Sequence, residues 1–138
     1  TCTPDLYHVD PTYVEVKFDS RTSVMATKEN CQDAAEKTAH AHGFDFETPG
    51  MIPPHRVPAD SEFVQKLLHA YEHVTGLKGE AMAIGGGTYV HDIKNGVAFG
   101  AVLPGIDTHM HGADEFFDLE NIVLATKVYA EAIIELCS

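Results

Sequence analysis

The chain has 138 residues, of which 44% are hydrophobic and 22% are charged, and this composition excludes a disordered chain in favour of one globular domain or pieces of two. Nine basic residues against twenty-one acidic residues give a formal charge of −12, which repels phosphate backbones and anionic lipid and so argues against nucleic acid or a membrane as partner. No apolar run approaches the length of about 18 residues that a membrane-spanning helix needs.

The first third of the sequence predicts a β-hairpin followed by a helix. Residues 6–9 and 12–18 are rich in β-formers, and the dipeptide Asp10-Pro11 between them favours a turn. In the second segment apolar and polar residues alternate, which is typical of a strand with one buried face. Thr27 then occupies a helix N-cap position and Gly43 a C-terminal stop. The small residues between them predict a helix suited to close packing.

The middle of the sequence predicts a domain boundary and a second helix. Residues 44–47 favour a short strand, and residues 48–58 contain four prolines, which resist both helix and sheet. A helix follows, with Asp60 or Ser61 as its N-cap and Gly76 as its stop. Its apolar stripe indicates that it belongs to a core.

The last third predicts two strands and a long helix. Residues 81–84 and 97–103 favour strands, and the first of them leads directly into three glycines. A helix begins at an Asp118 cap and continues to the C-terminus with one apolar face. The predicted class is therefore α/β, with a βαβ-like piece, a proline-rich linker and an α-β-β-α portion.

The cysteines favour a reducing compartment. Cys2, Cys31 and Cys137 are odd in number, far apart and without C-x-x-C spacing, which argues against a disulfide framework and against a thiolate zinc site. No signal-like apolar core follows Thr1, so the expected location is the cytoplasm. The lack of an initiator methionine fits a cloned or proteolysed fragment as well as a natural short protein.

The densest group of potential metal ligands lies in residues 107–115. Two histidines, His109 and His111, are accompanied there by Asp107, Asp114 and Glu115. Neutral imidazole and carboxylate are ligands that zinc, manganese or cobalt accept. An H-x-H spacing without a third fixed ligand is a weak signal, so an exposed polar loop is the alternative interpretation.

Two further features could bind an anionic group. Three glycines precede Thr88, and such a turn lets a backbone approach a ligand closely and leaves amides free for a carboxylate or an oxyanion. A plain tight connection is the alternative. Lys17 and Arg21 are the basic residues near the hairpin and could pair with a substrate carboxylate, or be solvated strand-edge charges. A G-x-S-x-G nucleophile motif is absent, which disfavours serine hydrolase chemistry.

Four motifs occur in the second half of the chain in a specific order and spacing. They are Ile84-Gly85-Gly86-Gly87-Thr88-Tyr89, Lys94-Asn95-Gly96-Val97-Ala98-Phe99-Gly100, Pro104-Gly105, and Met110-His111 with Asp114-Glu115. Together they resemble the C-terminal signature of PepV-like dipeptidases. These zinc enzymes belong to a clan of two-metal peptidases that also contains aminoacylases, glutamate carboxypeptidases and succinyl-diaminopimelate desuccinylase. The resemblance extends upstream, more weakly, and covers most of the chain.

The resemblance implies a domain organisation. Enzymes of this kind have a catalytic domain with two metal ions and an inserted lid domain of βαββαβ type. Residues 1–50 would form the C-terminal part of the lid domain. Residues 51–138 would form the C-terminal, α-β-β-α portion of the metallopeptidase catalytic domain.

The resemblance also implies roles for individual residues. His111, as the histidine of the final H-x-x-x-E segment, would ligate one of two metals, with zinc expected and manganese or cobalt as alternatives. Lys17 stands where the family has a lid arginine that binds the substrate carboxylate, and Arg21 is a possible substitute because lysine lacks the planar fork of arginine. The residues expected beside the substrate are Gly86, Gly87 and Thr88.

The remaining ligands of the family are not found in this sequence. The H-x-D motif, the bridging aspartate, the glutamate pair with the general base and the lid histidine all precede the matching region in the family order. The resemblance therefore implies part of a peptidase that hydrolyses dipeptides or other small peptides with metal-activated water, inactive without its N-terminal part as partner. The alternative is a non-catalytic remnant that serves as a protein-association or small-anion-binding module.

Overall fold

The computed structural model describes residues 1–100 and 102–138. They form two compact units, one made of Thr1–Arg56 with Ile84–Gly87 and the other of Val57–Ala83 with Thr88–Ser138. The described residues combine helices with a small antiparallel sheet, in agreement with the predicted α/β class. The lid arrangement and the assignment of residues 1–50 and 51–138 to two domains stay predictions.

The first unit begins with the predicted hairpin. Strand β1, Cys2–Val9, pairs antiparallel with strand β2, Val14–Ser20, and the register is irregular between Pro4 and Leu6. Proline lacks the N–H that a regular ladder needs, so an irregularity is the natural place for it. The first strand is longer than predicted because the chain continues to pair on both sides of this proline.

The hairpin turn is held by the side chain of Asp10. Its Oδ1 accepts hydrogen bonds from the backbone N–H of Thr12 at 2.7 Å and of Tyr13 at 3.1 Å. Hydrogen bonds from the side chain of Thr12, its N–H and the ring of His8 lower the pKa of Asp10 from 3.8 to about 2. The predicted turn is therefore stabilised by an ionised carboxylate.

The two strands are almost completely exposed, contrary to the predicted half-buried strand. Of their residues, Val16 alone is partly buried, and Phe18 keeps 58% of its surface exposed. A two-stranded sheet buries its apolar face only if another layer covers it. The described residues supply no such layer, so the prediction of a half-buried strand is wrong within this chain.

A helix follows the hairpin, as predicted. A short π-helical turn, Lys28–Gln32, leads into helix α1, Asp33–Ala41. Thr27 and Asn30 form a reciprocal N-terminal cap, in which each side chain accepts a hydrogen bond from the other residue's backbone N–H. Gly43 has φ +78°, the left-handed conformation in which glycine ends helices without strain.

The second unit is built on two helices with the predicted caps. Helix α2, Glu62–Thr75, begins after Ser61, whose side chain accepts from the N–H of Val64, and ends at Gly76 with φ +68°. Helix α3, Leu119–Cys137, begins after Asp118, which caps the N–H of Asn121 at 2.8 Å. Each cap satisfies a backbone donor or acceptor that would otherwise be unpaired.

The two helices pack against each other through small and apolar side chains. Leu67 and Ala70 of α2 and Ala132 of α3 form the core cluster, with Val97 and Phe99 packed against it. Ala70 is completely buried, and alanine at this contact lets the helix backbones approach closely. Burial of a leucine such as Leu67 contributes about 1.5–3 kcal/mol.

Polar pairs fix the register of α2 against α3. His69 Nδ1 lies 2.8 Å from Glu135 Oε1, and His73 Nδ1 lies 2.8 Å from Glu131 Oε1. Because the residue numbers rise along one helix and fall along the other, the helices are antiparallel. Each exposed pair contributes about 0–1 kcal/mol, so the packing depends mainly on the apolar contact.

Three predicted strands are not formed by the described residues. Residues 44–47, 81–84 and the described part of 97–103 are extended or irregular but unpaired, while Ala101 lies outside the described residues. A strand is defined by hydrogen bonds to a neighbour, and in residues 1–100 and 102–138 the sheet of β1 and β2 is the only one. Apolar content alone therefore led to a wrong assignment. In the same residues, no helix has the length and apolarity to cross a membrane.

Candidate functional site

The loop that carries His111 is closed at its base by backbone contacts. The N–H of Phe116 donates to the carbonyl of Thr108 at 3.1 Å, and the N–H of His109 donates to Asp107 Oδ1 at 2.9 Å. Thr108 is 8% exposed, so the base of the loop is anchored in the protein while the residues above it are exposed. These hydrogen bonds fix the conformation of the backbone at the base of the loop that carries His111.

Within the loop the backbone is tightly turned. His109, His111 and Asp114 have φ values of 53°, 63° and 58°, a left-handed conformation that few residues other than glycine adopt. The N–H of Gly112 donates to the carbonyl of His109 at 2.7 Å. A Cβ on Gly112 would lie 2.9 Å from that oxygen, so this position requires glycine.

The two histidines of the H-x-H motif have different environments. The ring of His109 packs edge-on against Phe116, with 5.7 Å between ring centroids. The side chain of His111 is exposed, and within the described residues it makes no hydrogen bond or ion pair. The H-x-H spacing alone treats both histidines alike, and the family resemblance singled out His111. His111 is the one whose ring is free to bind a ligand.

The described residues do not complete a metal site. No three side chains of His, Cys, Asp or Glu in residues 1–100 and 102–138 are grouped so that they could hold a metal ion. A zinc site takes about four ligands, at least three of them from protein. Although five potential ligands lie in residues 107–115, the loop does not bring three of them together. The part of the chain that the structure describes therefore does not fit a whole metal centre.

In the glycine turn, residues 85–88, packing does not require glycine at Gly85 or Gly86. Gly85 and Gly86 do not have positive φ, and a Cβ on either would meet nothing within 4 Å. The open space over the backbone is compatible with close approach of a ligand. Thr88 belongs to the other unit, where its N–H lies 3.4 Å from His91 Nδ1 at the start of a short 3-10 helix, Tyr89–Asp92.

The two predicted carboxylate-binding residues differ in how strongly they are engaged. Lys17 Nζ lies 3.7 Å from Glu15 Oε1, and its side chain is 65% exposed. In Arg21, Nε and Nη2 each lie 3.0 Å from Asp19 Oδ2, and Nη1 donates to the carbonyl of Gly85 at 3.0 Å. The first unit thus brings Arg21 to the glycine turn, a contact between residues 64 apart in sequence that no motif indicated.

A groove in the second unit lies apart from the predicted site residues. It has a volume of about 520 Å³ and contains none of the six residues predicted to bind metal or substrate. Lys94 is the basic side chain in its lining. Its lining residues are Val57, Pro58, Ser61, Phe63, Ile93, Lys94, Asn95 and Gly96.

Comparison with known proteins gives consistent results. Residues 4–135 match the family described as "Peptidase family M20/M25/M40". A protein of Staphylococcus haemolyticus (strain JCSC1435) named "Putative dipeptidase" is 42% identical over 101 residues, which are 73% of this chain and 22% of the relative. A protein of the same name from Staphylococcus aureus (strain USA300) is 37% identical over 109 residues, 79% of this chain and 23% of the relative.

The chain spans between a fifth and a quarter of the length of these relatives. The region that the family model matches, residues 4–135, nevertheless includes most of the hairpin, the glycine turn and the His111 loop. The expectation drawn from the four sequence motifs is confirmed at the level of the family. The chain belongs to peptidase family M20/M25/M40.

Proposed function

We propose that this chain is the C-terminal portion of a metal-dependent dipeptidase, which hydrolyses dipeptides or other small peptides with metal-activated water. The main support is the family match over residues 4–135, and relatives named as dipeptidases add to it. Peptidases of this family are generally metal-dependent. Because no three potential metal ligands are grouped in residues 1–100 and 102–138, we expect activity to require the rest of the peptidase as partner.

His111 is the proposed metal ligand of this chain. The anchored loop base and the tight turn at Gly112 present its ring to solvent. Zinc is the proposed metal, with two ions in the complete enzyme, and manganese or cobalt would accept the same ligand. Imidazole must be neutral to bind a metal, so metal affinity is expected to fall on acidification.

The proposed substrate contacts of this chain are the glycine turn and one lysine. The open backbone at Gly86 supports close approach of the substrate, and Gly87 and Thr88 continue the turn. Lys17 is exposed and weakly paired, which keeps its charge available for the carboxylate end of a peptide. The proposed location is the cytoplasm, supported by three free cysteines in the described residues.

The proposal is tested by comparing the chain alone with the complete peptidase. The complete protein should bind about two zinc ions and cleave L-alanyl-L-alanine. The chain alone should bind less than one zinc ion per molecule and show no turnover, because its described residues contain no grouped set of three ligands. Zinc content is measured by plasma mass spectrometry after dialysis. Dipeptide cleavage by the isolated chain, or a metal-free but active complete protein, would contradict the proposal.

The second candidate function is protein association by a non-catalytic remnant. The observation that favours it is the apolar surface of α3, on which Leu119 is 79%, Ile133 62% and Ile134 61% exposed. An H-x-D motif and a glutamate pair encoded before residue 1 would favour the peptidase. A gene without them, together with self-association of the chain in analytical ultracentrifugation, would favour the remnant.

A further inference from the structure

Both the backbone and the side chain of Arg21 are held by hydrogen bonds. Its backbone N–H donates to the carbonyl of Thr1 at 2.9 Å, and its own carbonyl accepts from the backbone nitrogen of Thr1 at 2.7 Å. Nε and Nη2 both face Asp19 Oδ2 at 3.0 Å. Residues close in sequence therefore orient the guanidinium, independently of its contact with the glycine turn.

The remaining end of this guanidinium contacts the glycine turn. Nη1 donates to the carbonyl oxygen of Gly85 at 3.0 Å. The segment Ile84–Gly87 accordingly belongs to the same compact unit as Thr1–Arg56, although it lies further along the chain. Arg21 is the residue that links the hairpin to this turn by a side-chain hydrogen bond.

Fixing the carbonyl of Gly85 also fixes the N–H of Gly86. The two groups share one planar peptide bond, and the described chain has no cis peptide, so they point in opposite directions. The Gly86 N–H is thereby directed away from Arg21. Within the described residues it donates to no acceptor, and a Cβ on Gly86 would meet nothing within 4 Å.

We infer that Arg21 is a positioning residue, which orients and polarises the Gly85–Gly86 peptide so that the Gly86 N–H receives a carbonyl or carboxylate oxygen of the peptide substrate. This inference rests on the proposed function. A cation on the carbonyl of a peptide strengthens the N–H of the same peptide as a donor. The role differs from direct pairing with the substrate carboxylate, because the guanidinium is already occupied by Asp19 and Gly85.

The first test measures the turn in the chain itself, without metal or substrate. Glycine is labelled with nitrogen-15, and the relaxation of the Gly86 amide is compared among wild type, Arg21→Ala and Arg21→Lys. Both substitutions should lower its order parameter from about 0.85 to below about 0.6, since the three donors of lysine share one nitrogen and do not reproduce the planar fork that faces Asp19 on one side and Gly85 on the other. Arg56→Ala is the matched control, because Arg56 makes no such contact in the described residues.

The second test measures the consequence in the complete peptidase. Arg21→Ala and Arg21→Lys should each raise KM about fivefold, the equivalent of one hydrogen bond of about 1 kcal/mol, with kcat changed less than about twofold. A lysine variant with wild-type KM would mean that charge alone matters, and would overturn the inference. So would an unchanged Gly86 amide in Arg21→Ala, or an equal effect of Arg56→Ala.

A milder variant guards against loss of folding. Asp19→Asn removes the ionic partner of Arg21 and leaves the contact to Gly85 in place, so the Gly86 order parameter should fall between those of wild type and Arg21→Ala. If the Gly86 order parameter in Asp19→Asn were as low as in Arg21→Ala, the proposed role of the contact between Arg21 and the Gly85 carbonyl would be overturned. The relaxation measurements involve neither metal nor turnover, so failure of the proposed peptidase function would not alter them.

Discussion

Replacement of Gly112 by alanine should disturb the loop that presents His111. The added Cβ would lie 2.9 Å from the carbonyl oxygen of His109 and 3.7 Å from its carbonyl carbon. Both are backbone atoms, so no side-chain rotation can relieve the contact. The same carbonyl accepts the Gly112 N–H at 2.7 Å, and a shift that relieves the clash lengthens this hydrogen bond.

The expected cost follows from these two effects. Overpacking of this kind costs about 1–3 kcal/mol, and a weakened hydrogen bond costs about 1 kcal/mol. A local destabilisation of about 2 kcal/mol would raise the population of the open loop roughly 30-fold. The backbone angles of His109 and His111 on either side would then no longer be held in their left-handed conformation.

The assay is amide hydrogen exchange at Phe116, whose N–H closes the base of the loop on the carbonyl of Thr108. Gly112→Ala should accelerate this exchange by roughly the same factor as the loop opening. Gly100→Ala is the matched control, since a Cβ there would meet nothing within 4 Å. Exchange at Phe116 within twofold of wild type would refute the account of the loop.

Three further predictions concern stability. Gly86→Ala should leave the free energy of unfolding in urea unchanged or raise it by about 0.4–1 kcal/mol, because the position lacks positive φ and has open space; a clear loss would show that packing requires this glycine. Ala70→Leu should lower that free energy by about 1–3 kcal/mol, since Ala70 is completely buried; an unchanged urea midpoint would contradict the α2–α3 contact. Hydrogen bonds from Thr12 and His8 lower the pKa of Asp10 from 3.8 to about 2. The carboxylate of Asp10 should therefore stabilise the turn fully at pH values above 3.8, and this stabilisation should be lost as the pH falls through about 2. An NMR titration midpoint near 3.8 would contradict this.

The helices could be predicted because their determinants are local. Thr27, Ser61 and Asp118 are N-caps, and Gly43 and Gly76 end their helices, each through contacts within a few residues. Local signals of this kind are contained in a short stretch of sequence. All three predicted helices are therefore confirmed to within a turn.

The strands outside the hairpin could not be predicted in the same way. Residues 81–84 have the composition of a strand, yet Met82 and Ile84 are 85% and 64% exposed and unpaired. Pairing depends on a partner strand distant in sequence, which composition does not reveal. The hairpin was the exception because its partner follows directly after the turn at Asp10.

The candidate site shows the same division between local and distant information. Motif order identified His111 and the glycine turn, and the family match includes both. The anchoring of the His109 ring on Phe116 and the contact of Arg21 with Gly85 depend on tertiary structure. Neither contact follows from the spacing of residues in the sequence. The sequence pattern treats His109 as a possible metal ligand and Arg21 as a possible substrate ligand, whereas in the structure each packs against or bonds to another part of the protein.

The most direct test of the proposed metal ligand is the zinc content of the complete peptidase bearing His111→Ala. His42→Ala is the control, because His42 is also exposed and lies outside the loop. The account predicts that His111→Ala retains about one zinc ion or fewer after dialysis and loses dipeptide turnover, while His42→Ala retains about two zinc ions and wild-type turnover. Two zinc ions and full turnover in His111→Ala would contradict it.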